Sequence, residues 1–222
     1  AYQEAIAAVT AYLEQLAGSP DEATAAQVRK LNLSAFTLLR QLQFEHGWTM
    51  LHRAVAMDPG DVERALLAGQ VIRSLQDQHL IQEPAEQLPA QPEALLMAGI
   101  ASRLQTDWPA AQGHLDAARK AATAVPPAAS QSLEWVAFAA EIERIRLQID
   151  QGQFTQAIGS LDLMRREIDS DTHLDRNVRL ARKLSLAMLQ FEAYSLAADA
   201  AAAEKNRSSQ AAFSRQRFDA LA

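Results

Sequence analysis

Apolar and small residues recur three or four positions apart along most of the chain, which places them on one face of successive α-helices. The clearest segment runs from Gln27 to Asp61. Its apolar and small positions are Leu31, Ala35, Leu38, Phe44, Gly47, Leu51 and Ala54, and Pro59 follows them. This spacing predicts two helices joined by a turn near residues 42–45. β-Branched and aromatic residues are sparse, so no segment is predicted to be a strand and the expected fold class is all-α.

The same pattern returns farther along the chain. Residues 92–126 carry the series Gly99, Trp108, Ala111, Leu115 and Ala118, and residues 138–171 carry Gly152, Phe154, Ala157 and Leu161. Residues 62–91 form a degenerate copy, in which Gly69 lies at the small position of the first helix. Pro84 and Pro89 interrupt the second helix of this copy, because proline removes a helical hydrogen bond and clashes with the preceding turn. Only a shortened helix is expected there, over residues 83–88.

This spacing resembles that of the tetratricopeptide repeat, a family of helical-repeat protein-interaction domains. The family's motif has small residues at its eighth and twentieth positions and an aromatic residue near the seventeenth. A large apolar residue, an alanine and a proline follow at the twenty-fourth, twenty-seventh and thirty-second. The matching residues of the first segment are Ala35, Gly47, Phe44, Leu51, Ala54 and Pro59. The small residues are expected to be buried where helices cross, and they are Ala35, Gly47, Ala54, Gly99, Ala111 and Ala157. The resemblance implies an α-solenoid of antiparallel helix pairs, wound as a right-handed superhelix with a C-terminal capping helix.

The expected organisation is a single repeat domain over residues 1–222. It has an N-terminal helix over 1–18, repeat units over about 27–61, 62–91, 92–126 and 138–171, and C-terminal helices over 172–222. An insertion at residues 124–130 offers Ser130 as the N-cap of the next helix. Residues 173–205 are almost free of helix breakers and too long for one ordinary helix. The tetrapeptide Leu-Gln-Phe-Glu occurs at residues 42–45 and again at 189–192, so a turn is expected at both places.

Charge and composition narrow the classes of function. The formal net charge is −6 and the sequence pI is about 5.4, which disfavours a general binder of nucleic acids or anionic membranes. The chain has no cysteine, so disulfides, thiolate metal sites and cysteine nucleophiles are excluded. Its apolar runs are too short to cross a bilayer. The chain begins at Ala1 without a cationic leader, so an excised domain or a processed form is expected, cytoplasmic with a periplasmic mature form as the alternative.

Candidate chemistry is sparse. The histidines His46, His52, His79, His114 and His173 do not have the spacing of a helical zinc site. Alternating aspartates at residues 169–175 could supply oxygen ligands to calcium, but the loop lacks the turn glycine and the distal glutamate of such a site. Asp171 or Thr172 is instead expected to cap the next helix. The basic run Arg165, Arg166, Arg176, Arg179, Arg182 and Lys183 is interpreted as a solvated face.

Nucleophile and phosphate-loop motifs are missing from the sequence, so the chain is expected not to be an enzyme and to need neither a cofactor nor a metal. The resemblance instead implies a concave groove lined by the first helix of each unit. The groove residues that it implies are Asn32, Phe36, Arg40, Leu66, Gln70, Arg73, Leu96, Ile100, Arg103, Ile142, Arg146 and Ile149. Each unit contributes an arginine beside apolar residues, a combination that suits a peptide or an amphipathic helix, an acidic one included.

The leading hypothesis is therefore a protein-interaction module, a scaffold that forms part of a larger bacterial regulatory or assembly protein. The alternative is a ligand-sensing helical-repeat domain of a transcriptional activator or signalling protein. A pocket lined by Trp108, Trp135 and Phe138 would favour the alternative, whereas a continuous open groove would favour the interaction module.

Overall fold

A computed structural model describes residues 2–16, 22–77, 92–124 and 133–220. For residues 2, 13–16, 22–37, 40, 207–208 and 218 it describes the backbone alone. Within these ranges the regular secondary structure is entirely helical, which confirms the all-α prediction. The helices are α1 (Tyr2–Leu16), α2 (Glu22–Val55), α3 (Val62–Asp77), α4 (Pro92–Leu104), α5 (Trp108–Thr123), α6 (Glu134–Asp150), α7 (Phe154–Ser170), α8 (Arg176–Ala203) and α9 (Arg207–Asp219).

The chain divides into two compact units, Ala1–Ala137 and Phe138–Ala222. In unit 1, α2 packs against α1, α3 and α4, while α4 also contacts α3 and α5. In unit 2, α7 and α9 both pack against α8. The single repeat domain over residues 1–222 stays a prediction.

A close helix contact in unit 1 joins α4 to α5. A Cβ atom added to Gly99 would lie 2.6 Å from Cδ2 of Leu115 and 3.3 Å from its backbone nitrogen. Leu115 is 1% exposed, and Ala111 and Ala118 on the same face of α5 are fully buried. The two helices approach this closely because the residue between them has no side chain. This confirms the predicted burial of Gly99 and Ala111.

Unit 2 has a core built from α6, α7 and α8, and here too the small residue predicted at the crossing is buried. Ala157 is fully buried and Leu161 is 1% exposed. The buried apolar residues of this core are Ile142, Ile145, Ile149, Ala157, Leu161, Met164, Ile168, Leu186, Leu189 and Ala193.

Three helix pairs are joined by turns of the same geometry. In each turn one residue adopts the left-handed conformation: Thr106 (φ 61°), Gly152 (φ 73°) and Lys205 (φ 59°). The next residue donates its backbone N–H to the carbonyl five residues earlier, which is the Schellman motif. These bonds are Asp107 to Ser102 at 3.0 Å, Gln153 to Gln148 at 2.8 Å and Asn206 to Ala201 at 2.8 Å. The turns α4–α5, α6–α7 and α8–α9 therefore have three residues each.

The turns predicted at the Leu-Gln-Phe-Glu tetrapeptides are wrong. Residues 42–45 lie inside α2, which is continuous over 34 residues, and residues 189–192 lie inside the 28-residue α8. Neither tetrapeptide contains glycine or proline, and leucine, glutamine and glutamate are strong helix formers. Gly47 does not end the helix either. Because Gly47 has no side chain, Sδ of Met97 can approach it, and this atom would lie 3.0 Å from a Cβ at this position. Gly47 therefore lies at the contact between α2 and α4.

Several sequence predictions fall on residues that the structure does not describe. The shortened helix over residues 83–88, His79 and the proposed cap Ser130 lie outside the described ranges. The side chain of Ala35 lies outside them as well. Helices α4 and α5 lie within the predicted unit 92–126, whereas α6 begins at Glu134, four residues before the predicted unit 138–171. The repeat units themselves stay a prediction.

The Gly99 contact yields a test of the α4–α5 packing. Gly99→Ala is expected to lower the free energy of unfolding by about 1–3 kcal/mol, because the new methyl group meets buried Leu115 and its backbone. Gly113→Ala is the matched control on α5, where a Cβ meets nothing within 4 Å. That control is expected to raise the free energy by about 0.5–1 kcal/mol through helix propensity. Urea denaturation measures both, and a stabilising Gly99→Ala would contradict the close approach.

Candidate partner-binding surface

One face of α3 is exposed and carries three of the groove residues that were predicted from the sequence. Leu66 is 59% exposed, and Gln70 and Arg73 are exposed as well. Val62, one turn earlier, is 74% exposed. Spacings of four, four and three residues put these four side chains on one side of the helix. The face therefore presents two aliphatic side chains, an amide and a guanidinium in a row.

The opposite face of α3 holds the helix in place. Leu67, Val71 and Leu75 are buried, and α3 contacts both α2 and α4. The side chain of Gln105, in the α4–α5 turn, donates to the carbonyl oxygen of Ala65 at 3.3 Å. It lies over Gly69, where a Cβ would be 2.8 Å from the Gln105 amide nitrogen. The exposed face of α3 is thus presented by a helix that is fixed from behind.

The structure places the predicted groove residues of α4 in the interior of unit 1. Leu96 is 1% exposed, Ile100 9% and Arg103 7%. The physical reason is that α4 packs against α2, α3 and α5 together, so every residue from Ala94 to Leu104 is buried. These three residues are not brought together with the exposed face of α3, and their contact with a partner stays a prediction.

The remaining groove residues divide between the core of unit 2 and the part of α2 described by its backbone alone. Ile142 and Ile149 belong to the unit 2 core. Arg146 is partly exposed and donates to Oε1 of Glu143 at 2.7 Å. The other three residues, Asn32, Phe36 and Arg40, lie on α2, and their side chains are outside the described residues.

An aromatic cluster on α2, which the sequence reading missed, centres on Trp48. Its ring is stacked on His52 at 5.6 Å between centroids and meets Phe44 edge-on at 6.4 Å. Trp135 approaches the same indole at 6.4 Å and is 46% exposed. Spacings of four residues along α2 could have revealed the first three rings, but the contact with Trp135 depends on the tertiary fold.

Two of the three aromatic residues expected to line a ligand pocket make their described contacts in different units. Trp135 meets Trp48 in unit 1, whereas Phe138 packs against the core of unit 2. The guanidinium carbon of Arg182 lies 4.9 Å from the Phe138 ring centroid, a cation–π contact. The sensing alternative stays a prediction.

A polar link crosses each of the helix pairs α4–α5 and α6–α7 at the same place. Oγ of Ser102 lies 3.4 Å from Nδ1 of His114, and Oγ of Ser160 donates to Oε1 of Gln148 at 3.4 Å. Counted from the left-handed residue of each turn, Ser102 and Gln148 stand at the same position, as do His114 and Ser160. Ser102 is 1% exposed, so its hydroxyl joins helices and is not open to a substrate.

The acidic loop caps a turn and a helix with its own carboxylates. Asp175 is the N-cap of α8, and its Oδ1 accepts from the backbone nitrogens of Asn177 at 2.8 Å and Val178 at 3.3 Å. Oδ1 of Asp171 accepts from the backbone nitrogen of His173 at 2.9 Å. The capping interpretation is confirmed, but the assignment of the helix cap to Asp171 or Thr172 is wrong, because α8 begins only at Arg176. Within the described ranges, no group of three potential side-chain ligands is placed to hold a metal ion.

Much of the basic run is bound within the molecule. Lys183 forms an ion pair with Asp169, and the hydrogen bond and charge of Lys183 hold the pKa of the Asp169 carboxyl below its ordinary value. Arg179 donates to the backbone carbonyl oxygens of Asp171 and Leu174, and Nε of Arg166 donates to that of Asp162. The solvated-face interpretation is therefore incomplete, because Arg179 ties α8 to the loop that precedes it and Lys183 ties α8 to the end of α7.

A small crevice opens in unit 2 beside the α6–α7 and α8–α9 turns. Its volume is about 210 Å³, and Phe154, Thr155, Glu204 and Phe213 are among the residues that line it. Pockets that hold drug-sized ligands are larger, about 300–1,000 Å³, so this crevice is too small to enclose a ligand of that size.

No protein-family model, no curated protein and no solved structure matches this chain in the comparisons with known proteins. In the part of the chain that the structure describes, no helix has both the length and the apolar content to span a bilayer.

The partial burial of His114 generates a prediction on pH. Burial lowers the pKa of His114 below its ordinary value of 6.5, although the charge of Asp107 opposes this shift. The folded chain thus favours the neutral imidazole, and the unfolded chain binds more protons near this pH. The contribution is present above pH 6.5 and is lost as the pH falls through 6.5 toward the lowered value.

Urea denaturation at pH 7.5 and 5.5 measures this contribution. The loss of stability on acidification is expected to be smaller in His114→Gln than in the wild type. His173→Gln, at an exposed position, is the control for removing a histidine. An equal loss in wild type and His114→Gln would contradict the argument.

The acidic loop generates a second prediction. Asp175→Ala is expected to lower the free energy of unfolding by about 1 kcal/mol, because two backbone N–H groups of α8 lose their acceptor. Asp175→Asn retains an oxygen acceptor and is expected to stay close to the wild type. Millimolar calcium is expected to leave the melting temperature of all three proteins unchanged. A calcium-dependent rise that Asp175→Ala abolishes would show that the loop binds the ion.

Proposed function

We propose that this chain is a protein-interaction module that binds a peptide or an amphipathic helix of another protein through the exposed face of α3. The observation that carries the proposal is the row Val62, Leu66, Gln70 and Arg73, which stays exposed on a helix whose other side is buried. Two aliphatic side chains lie 74% and 59% exposed there, next to a guanidinium.

The chemistry of this face suits a helical or extended segment. Aliphatic side chains one turn apart accept the apolar residues of an amphipathic partner. The planar guanidinium of Arg73 can pair with a carboxylate at the end of the row. A partner with an acidic residue about two turns from one apolar anchor and about three turns from the other would therefore match the spacing from Leu66 and Val62 to Arg73.

The exposed face belongs to a helix that its neighbours hold in place. The buried row of α3 and the Gln105 hydrogen bond fix the helix, so a partner would not have to order it on binding. Glu63, at the start of α3, is paired with Arg53 of α2. Oδ1 of Asp61 accepts from the backbone nitrogen of Glu63 at 2.9 Å, which caps the start of α3.

We also propose that the chain is a helical-repeat protein of the tetratricopeptide kind, although α2 and α8 are longer than that motif allows. Support comes from the pairs α4–α5 and α6–α7, which share a three-residue turn, a buried alanine and leucine, and the same polar link. The alanine-rich composition supports a bacterial source, and a larger regulatory or assembly protein is the context that we propose.

Affinity capture with matched charge-reversal variants tests the α3 face. The double variant Leu66→Glu, Arg73→Glu is compared with Leu163→Glu, Arg165→Glu on the exposed surface of α7, which makes the same chemical changes. Partners that the wild type and the α7 variant retain are expected to bind the α3 variant at least tenfold more weakly, about 1.4 kcal/mol.

Melting curves of both double variants serve as the folding control, because all four side chains are exposed. An identical set of partners and affinities for the wild type and the α3 variant would reject the α3 face as the binding surface.

A further inference from the structure

Helix α8 is longer than the helix that folds back on it. It has 28 residues and α9 has 13, so their lengths are about 42 Å and about 20 Å at 1.5 Å per residue. Because the turn between them has three residues, α9 runs back along the C-terminal half of α8. Tyr194 and Phe213 meet there, with ring centroids 6.4 Å apart.

An apolar seam runs along α8 and is only partly covered. Its members, spaced alternately four and three residues apart, are Leu180, Leu184, Ala187, Phe191, Tyr194, Ala198 and Ala201. This heptad spacing is the pattern by which one helix packs along another. Tyr194, Ala198 and Ala201, in the half that pairs with α9, are buried.

The N-terminal half of the same seam is exposed. Leu180 is 67% exposed, Leu184 59% and the adjacent Met188 62%. Single exposed aliphatic residues are ordinary, but three in a contiguous row mark an interaction surface. The row continues an interface that a helix already occupies, so an occupant in line with α9 would extend the same packing.

The charged residues that α8 itself carries beside this exposed row are of one sign. From residue 176 to residue 191, α8 has four basic residues and no acidic one. Arg176 and Lys183 stand four residues before and three residues after Leu180, so they flank the row. Lys183 is paired with Asp169, whereas Arg179 donates to uncharged carbonyl oxygens. Asp171 and Asp175, used as caps, lie before the first turn of α8.

We propose that the N-terminal half of the α8 seam binds an acidic amphipathic helix of a partner protein. Leucine-type residues of that helix would cover Leu180, Leu184 and Met188, and its acidic flank would face Arg176 and the neighbouring basic residues. The continuity with the α8–α9 interface assigns a helix as the occupant, and the basic flank assigns its charge. This surface lies in unit 2 and does not depend on the face of α3.

Fluorescence anisotropy with two labelled synthetic peptides tests the proposal on the full chain. Both peptides are three heptads long with leucine at the seam positions; one has glutamate on its flanks and the other has lysine. The glutamate peptide is expected to bind at least tenfold more tightly than the lysine peptide, and added salt is expected to reduce the difference. Absent binding of the glutamate peptide, or equal binding of the two, overturns the proposal.

Substitutions locate the peptide. Leu184→Glu is expected to weaken binding of the glutamate peptide at least tenfold, and the milder Leu184→Gln is expected to weaken it less, with unchanged melting temperatures because the side chain is exposed. Leu163→Glu on α7 is the matched control and is expected to bind like the wild type. Equal binding by Leu184→Glu and the wild type overturns the assignment.

Two further outcomes separate this proposal from its alternatives. If Leu66→Glu abolishes binding while Leu184→Glu does not, the peptide occupies the α3 face, which overturns this inference and leaves the proposed function intact. If sedimentation shows a wild-type dimer that Leu184→Glu dissociates, and the glutamate peptide does not bind, a second copy of the chain covers the seam and the proposal is wrong.

Discussion

The close approach of α4 and α5 at Gly99 is the contact on which the arrangement of unit 1 depends. Without a side chain at this position, Leu115 and its backbone can lie against α4. Helix α4 also packs closely against α2 on another side, where Gly47 of α2 lies against Met97 of α4. Because small residues bring its neighbours so near, α4 becomes a buried central helix with no solvent-facing side. The neighbouring α3 is left at the surface, with one side fixed and one side free.

Backbone geometry at the turns gives the pairs of helices their register. Thr106, Gly152 and Lys205 each adopt the left-handed conformation and close a Schellman motif. Only one of the three is glycine. For threonine and lysine the left-handed conformation is unfavourable, so the packing of the helices must compensate for it. The pairs α4–α5 and α6–α7 then bring equivalent positions together, as the links Ser102–His114 and Gln148–Ser160 show.

Most of the charged side chains near the start of α8 make contacts that stabilise the fold. The aspartates of residues 169–175 cap a turn and a helix or pair with Lys183, and Arg179 binds carbonyl oxygens of the same loop. Those contacts fix the start of α8. They also leave its exposed apolar row beside basic side chains, which is the basis for proposing an acidic helical partner there. On α3 the exposed row ends instead at a single arginine.

Periodicity by itself determined that the chain is helical, and the spacing of small residues determined that Gly99, Ala111 and Ala157 lie at helix contacts. Both properties are local, because they depend on which residues share a face of one helix. The ends of α2 and α8 do not follow from the hydrophobic periodicity. Their tetrapeptides resemble an inter-helix turn in composition but contain no residue that breaks a helix, so nothing local ends the hydrogen bonding. Only the tertiary structure decided which faces are free. Leu66 and Leu96 hold the same predicted groove position, yet one is exposed and the other buried, since α4 is surrounded by three neighbouring helices and α3 is covered on one side. How many helices pack against a given helix depends on the tertiary fold and cannot be inferred from the pattern of its own residues.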